Sequence, residues 1–297
     1  MGIGRIGVWH PMFGRDRAPA VRRAAAEIEK LGYGTLWYGE ASGTREAFSL
    51  AGILLAATEN VTVATGIANI WVRDATAMAA GARAYGEAYP GRFALGVGVS
   101  HAPLVSQRGH DYARPLAAMS AYLDAMDAVA RDLPFTDDPP VPRLLAALRP
   151  RMLELARDRA DGAHPYFVPP EHTALARETL GPDRILAPEQ AVVLESDPAR
   201  AREIARAHMA GYLRLPNYVG NLRHLGYRDE DFTGGGSDRL VDAIVAWGDV
   251  ETVARRVGAH LDAGADHVAL QPLPSDLLGG VAQLAELAPA LGVRPGE

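Results

Sequence analysis

Short apolar runs alternate with amphipathic stretches along the whole chain, a rhythm that predicts repeated strand and helix units. The runs Arg5–Trp9, Thr35–Tyr38, Val61–Ile67, Phe93–Val99, Leu144–Ala147, Ala163–Val168, Gln190–Leu194 and His267–Gln271 read as strands. Phe93–Val99 is too apolar for a half-wet strand and too short for a helix, so it reads as a central parallel strand covered on both faces. Between the runs, Val21, Ala24, Ala25, Ile28 and Leu31 recur at helical spacing and Gly32 supplies a stop. Val250, Val253, Ala254, Val257 and Leu261 repeat that pattern, with Asp249 as N-cap and Gly264 as terminator. Ser196-Asp197-Pro198 marks another helix start.

Eight strands alternating with helices in 297 residues predict an α/β fold, a (β/α)8 TIM barrel rather than an open doubly wound sheet. No internal repeat or domain linker interrupts the pattern, so residues 1–297 read as a single barrel domain. Two intervals are longer than one unit needs. Pro134 to Pro142 reads as an irregular connector. Arg214 to Asp238, between the predicted seventh and eighth strands, ends in Gly234-Gly235-Gly236 and reads as an insertion. Its open roles are a lid, a dimer contact or a disordered bridge.

Composition narrows the chemistry. A net charge of −6 with interspersed signs argues against a nucleic-acid partner. No run approaches the roughly 18 apolar residues of a membrane span, and Met1 to Arg23 lacks a signal pattern. The expectation is a cytoplasmic protein with no membrane partner. The absence of cysteine excludes disulfides, thiolate metal sites, iron-sulfur ligation and a cysteine nucleophile. Lys30 is the only lysine and lies on a helical stretch away from the strand ends, which argues against Schiff-base and pyridoxal chemistry.

In a barrel the carboxyl ends of the strands share one mouth. The first strand ends in Trp9-His10, the second in Gly39-Glu40, and the third in Thr65-Gly66-Ile67-Ala68-Asn69 followed by Ile70-Trp71. The fourth ends in Gly98-Val99-Ser100-His101 and the sixth in Ala163-His164. Glycine before β-branched Ile67 inside a strand predicts a bulge. Gly96 and Gly98 offer space for a flat ligand to approach the fourth strand. His10, His101, His164 and Glu40 could form a mixed nitrogen and oxygen cage, but no local metal spacing supports one, so no metal is expected. No Gly-x-Ser-x-Gly elbow occurs, and Gly96-x-Gly98 lacks the third glycine of a dinucleotide fingerprint.

Several segments, in order, resemble one family: Leu31-Gly32-Tyr33-Gly34-Thr35-Leu36-Trp37 into Glu40, Val63-Ala64-Thr65-Gly66-Ile67, and Pro90-Gly91-Arg92-Phe93 through Ser100-His101. Leu145-Ala146-Ala147-Leu148 with Pro150-Arg151-Met152, Ala160-Asp161-Gly162-Ala163 and Ala263-Gly264-Ala265-Asp266-His267-Val268 continue the series. Together they resemble the luciferase-like monooxygenase superfamily, in particular its coenzyme F420-dependent oxidoreductase branch. The resemblance implies a homodimeric barrel enzyme that transfers a hydride between F420 and a small organic substrate at the mouth. An FMN-dependent monooxygenase and a non-catalytic flavin- or deazaflavin-binding protein are the alternatives.

It also implies a non-prolyl cis peptide at Gly66-Ile67 behind the cofactor ring. The implied cofactor contacts are Glu40, Gly66, Ile67, Ala68, Asn69, Gly98, Val99, Ser100, His101, Ala163 and His164. His10, Trp71 and Tyr218 would face substrate. Family members often carry an Asp-His pair after the second strand and a glutamate after the fourth. Here Gly39-Glu40 and Ser100-His101 stand in those places, exchanging acid and base. His101 is the first acid/base candidate, because an imidazole titrates near neutrality, and Glu40 is the second.

Overall fold

A computed structural model describes residues 3–130, 133, 139–274 and 276–295; residues 134–138 of the predicted connector lie outside the described residues. Eleven parallel strands form one curled sheet. They are β1 (Ile6–Trp9), β2 (Thr35–Tyr38), β3 (Thr62–Thr65), β4 (Ala68–Asn69), β5 (Phe93–Gly98), β6 (Arg143–Leu145), β7 (Gly162–Ala163), β8 (Ile185–Leu186), β9 (Glu189–Leu194), β10 (Val245–Gly248) and β11 (Val268–Pro272). Their order is β10-β9-β11-β1-β2-β3-β5-β6-β7-β8, with β4 continuing the β3 stave against β5.

The sheet curls far enough that β8, at one end of this order, runs on into β9, the strand next to the other end. β8 pairs with β7, while β9 follows two residues later and pairs with β11. Ala187 N donates to Ala163 O (2.9 Å), Glu189 N to Pro165 O (2.9 Å) and Ala269 N to Pro188 O (2.9 Å), so the junction is bonded on both sides. The fold is TIM-barrel-like. Inside the curl lie Trp9, Trp37, Ala64, Ala94, Leu144, Ala187 and Ala269. Helices cover the outside.

Local signals explain the helices. Val21, Ala24, Ala25 and Ile28 are the buried face of the helix Ala18–Lys30. Asp249 caps Val250–Asp262 by accepting from Thr252 N (2.8 Å), and Asp197 caps Pro198–Tyr212 by accepting from Arg200 N (2.8 Å). Gly32 has φ +96°, and a Cβ there would stand 2.1 Å from Arg294 O, so this helix stop also seats the chain's last described turn.

Two departures from the predicted strands have physical causes. The predicted Ala163–Val168 strand stops at Ala163, because Pro165 and Pro169 lack N–H donors and Phe167 is left-handed (φ +60°). β10 was hidden because the helix Asp238–Ile244 runs into it with no intervening Gly or Pro. The stretch 214–238 therefore precedes an additional strand. It contains the helix Pro216–His224 and the 3-10 turn Asp229–Phe232, and its Tyr218 and Leu222 are buried in a second apolar cluster with Phe167, Ala191 and Met209. The glycine triplet is tied down, with Gly236 O accepting from Arg206 Nε (2.9 Å).

Candidate active site

The carboxyl end of the third stave is bulged. Between the pairs Ala64↔Ala94 and Ala68↔Val97, the stave advances four residues against three on β5. The extra residue falls in Thr65-Gly66-Ile67, and the Gly66–Ile67 peptide bond is cis. Thr65 bridges the gap: its hydroxyl donates to Gly96 O (2.7 Å) and accepts from Gly96 N (2.9 Å). Trp9 Nε1 donates to Gly66 O (3.0 Å), while Glu40 N donates to Ile67 O (3.1 Å). Gly66 and Ile67 remain half exposed, so the bulge forms part of the mouth's surface.

Gly96 and Gly98 serve this bulge. A Cβ at Gly96 would stand 2.0 Å from Thr65 O, and one at Gly98 would stand 2.6 Å from Ile67 Cγ1. The open space expected for a flat ligand over these glycines is taken by the Thr65 carbonyl and the Ile67 side chain. Gly96 and Gly98 are buried beneath the bulge, and Ile67 is the half-exposed residue there.

β5 leads into Val99, Ser100 and His101. Ser100 is left-handed (φ +58°), and its carbonyl accepts from Tyr112 Oη (3.0 Å). This turn places His101 beside Asn217 and Tyr218, with Nδ1 3.1 Å from Asn217 Oδ1 and ring centroids 5.3 Å apart. With Asn217 presenting Oδ1, Nδ1 carries the proton and Nε2 is the acceptor. Burial lowers the His101 pKa below the ordinary imidazole value, against the opposing effect of the Asn217 bond, so the ring is neutral at pH 7.

Glu40 is fully engaged. Oε1 accepts from Ala47 N (2.9 Å) and Arg73, while Oε2 accepts from Asn69 N (2.9 Å) and Arg73 Nη1 (2.9 Å). Arg73 also pairs with Glu46 at 2.7 Å. Asn69 Oδ1 accepts from Trp71 N (3.0 Å), and Trp71 Nε1 donates to Val99 O (2.9 Å). Glu40 thus holds the far side of the bulge in place, and both its oxygens are spoken for.

Opposite the bulge stands an aromatic wall. Tyr166 packs against Trp9 at 5.2 Å and Tyr212 at 5.3 Å; Phe167, Tyr212 and Tyr218 lie 5.0 to 5.4 Å from one another. Tyr166 Oη is 2.7 Å from Tyr212 Oη and donates to Gln271 Oε1 (2.8 Å). Below them lies Glu189. Its Oε2 accepts from Phe167 N (3.1 Å), and its buried Oε1 has no partner among the described residues. Burial, opposed by the Phe167 hydrogen bond, raises its pKa to about 8.

Of the residues singled out in the sequence, the structure groups Gly66, Ile67, Asn69, Trp71, Val99, Ser100, His101 and Tyr218 at this mouth, with Glu40 behind them. Ala68 and Ala163 are fully buried in the staves. His164 is buried as well, stacked on Trp37 (4.3 Å, 13°), with Nδ1 2.6 Å from Ala187 O; burial lowers its pKa to about 4. His10 turns away from the mouth: Nδ1 accepts from Met12 N (3.2 Å), and Nε2 points at Gly280 of the helix Leu277–Leu287. No group of histidine and carboxylate side chains among the described residues is arranged to hold a metal ion. No helix among them is long and apolar enough to cross a membrane.

Sequence reasoning missed Arg73, Tyr166, Tyr212, Glu189 and Gln271. Two of them carried a usable signal: Tyr166 lies within the predicted strand Ala163–Val168, and Gln271 is the last residue of the predicted strand His267–Gln271.

Residues 5–267 match the model of the luciferase-like monooxygenase family. Among solved structures, the chain is similar to an F420-dependent secondary alcohol dehydrogenase in complex with an F420-acetone adduct, with TM-score 0.78, 17% identity, and coverage of 98% of this chain and 99% of the other. It is also similar to the coenzyme F420-dependent tetrahydromethanopterin reductase of Methanopyrus kandleri, with TM-score 0.76, 14% identity and coverage of 97% and 100%. A third is the FMN-bound oxygenating constituent of 3,6-diketocamphane monooxygenase from Pseudomonas putida, with TM-score 0.70, 14% identity and coverage of 99% and 100%.

Proposed function

The chain belongs to the luciferase-like monooxygenase family, and on that premise we propose that it is an oxidoreductase moving a hydride between coenzyme F420 and a small organic substrate at the mouth. The observation that carries this reading is the half-exposed bulge at Gly66-Ile67 with a neutral imidazole, His101, on the neighbouring strand end. A flat apolar seat beside an acid/base group suits a ring that exchanges hydride with a substrate lying on it. The F420-dependent similar structures give the same direction, since they superpose at least as well as the FMN-bound one.

When bound, the deazaflavin supplies a two-electron carrier. The chain's residues fit such a group: Ile67 offers the apolar face, while Asn69, Val99 and Ser100 offer polar edges. Glu40 and Arg73 fix the bulge from behind, so Glu40 is a positioning residue. His101 Nε2 accepts a proton from a substrate hydroxyl or amine as hydride leaves the adjacent carbon. Tyr218, packed on His101, excludes water from that side.

Turnover with F420 under strictly anaerobic conditions tests the reading. Hydride transfer proceeds without oxygen; an absolute requirement for oxygen and reduced FMN would overturn it in favour of a monooxygenase.

A further inference from the structure

His101 stands on the loop after β5, yet its hydrogen bond and its ring contact both come from the helix Pro216–His224, Asn217 lying 116 residues further along the chain. Two consecutive residues make these contacts. Asn217 Oδ1 meets Nδ1 at 3.1 Å, and the Tyr218 ring lies 5.3 Å from the imidazole. The helix is seated by its apolar face: Leu222 is fully buried, and Tyr218 packs 5.4 Å from Phe167 and from Tyr212. The apolar cluster therefore fixes the helix, and the helix delivers Asn217 to the imidazole. Asn221, one turn further on, is buried with neither amide atom hydrogen-bonded among the described residues. Burial on this helix does not by itself find an amide a partner.

We propose that Asn217 is a second positioning residue of this mouth: its amide oxygen holds His101 as the Nδ1–H tautomer, leaves Nε2 to take the substrate's proton, and makes the stretch 214–238 a working part of the active site. This rests on the hydride-transfer reading above. As the substrate's C–H pair leaves as hydride to oxidised F420, its O–H or N–H pair becomes the new π bond. The freed proton goes to His101 Nε2. The imidazolium, still held at Nδ1, then passes that proton to solvent and returns to the neutral tautomer. An amide oxygen orients the ring as a carboxylate would but brings no charge, so the imidazolium is not trapped.

The other groups around the ring leave its control to Asn217. Tyr218 faces it from the helix, and Tyr112 is bonded to the neighbouring Ser100 carbonyl; burial raises both phenols, so they are neutral hydroxyls. His110, on the same loop as His101, packs on Trp71 (5.5 Å) instead. Arg149 lies beside Gly220, where a Cβ would stand 3.9 Å from its Nη1, on the flank of the helix opposite Tyr218. Burial pushes the His101 ring below the ordinary imidazole value, the Asn217 bond opposes this, and no charged group among the described residues acts on it.

The experiment is isotope-edited NMR of the histidine ring nitrogens in the ligand-free parent, Asn217→Leu, Asn217→Asp and Asn221→Leu, with His101→Ala identifying the signal, followed by F420 binding and anaerobic turnover against pH. In the parent, Nδ1 of His101 should carry the proton at neutral pH and Nε2 should not. Asn217→Leu should lose that preference, bind F420 as the parent does, and lower turnover about 10–100-fold. In a His101→Ala background the same substitution should lower turnover no further. Asn217→Asp should keep the tautomer and move the acid limb of the pH profile up by about 1–3 units, because a carboxylate stabilises the imidazolium. Asn221→Leu should change neither the signal nor the profile. The proposal is overturned by a parent tautomer that survives in Asn217→Leu, by an equal loss in the His101→Ala background, or by an acid limb that stays put in Asn217→Asp. A parent that shows the expected tautomer but binds no F420 overturns the hydride-transfer reading instead, while loss of the tautomer in Asn217→Leu still upholds Asn217 as the group that sets it.

Discussion

A Cβ atom at Gly98 would stand 2.6 Å from the Ile67 side chain, and one at Gly96 would strike the Thr65 carbonyl. The two sites differ in what can yield. Ile67 is a side chain at a half-exposed surface, so Gly98→Ala should cost about 1–3 kcal/mol in denaturant unfolding and shift Ile67 toward the mouth, weakening F420 binding. Gly96→Ala meets backbone and should cost more. Glu40→Ala leaves Arg73 buried without its main partner and should destabilise by about 3–5 kcal/mol. If the residue were a free acid/base group instead, that variant would lose turnover while unfolding like the parent. His101 makes a pH prediction. Its folded pKa lies below 6.5, so a base role is fully present at neutral pH and lost as pH falls below that ordinary value. His101→Ala should abolish this acid limb and lower turnover far more than F420 affinity.

At the scale of elements, the strands and caps could be read because they depend on neighbours in sequence. Short apolar runs marked most of the staves, and Asp249 and Asp197 cap the helices that follow them. Glycine before a β-branched residue was enough to mark the bulge. The polar framework could not be read, because its partners are far apart in sequence: Trp9 with Gly66, Arg73 with Glu40, and Tyr166 with Gln271. Periodicity reports which residues are buried, but not which polar atom meets which. The missing side chains of Gly96 and Gly98 misled, because they make room for the protein's own bulge rather than for a ligand. Asp249→Ala should cost about 1 kcal/mol through loss of the Thr252 N–H bond, measured by thermal unfolding, with the mouth chemistry unchanged.

Across the whole molecule, buried titratable groups set the pH range of stability. Burial lowers His10, His164, His208 and His267 to about 4 and His260 to about 3. Below the unfolded value of 6.5 the unfolded chain binds protons that the folded chain refuses, so stability should decline as pH falls from 6.5 towards 4. Glu189 has the opposite sign. Its raised pKa means that the folded protein holds a proton the unfolded chain has lost, and this contribution shrinks as pH rises towards about 8. Calorimetry should therefore show a fall in melting temperature between pH 6.5 and about 8 that Glu189→Gln removes.

The central claim concerns the ring that the mouth receives, and direct titration tests it. Purified protein titrated separately with F420 and FMN, followed by ring fluorescence, should bind F420 saturably and FMN weakly or not at all, with Ile67→Asp abolishing the F420 signal. Saturable binding of FMN without F420, or of neither, would contradict the account.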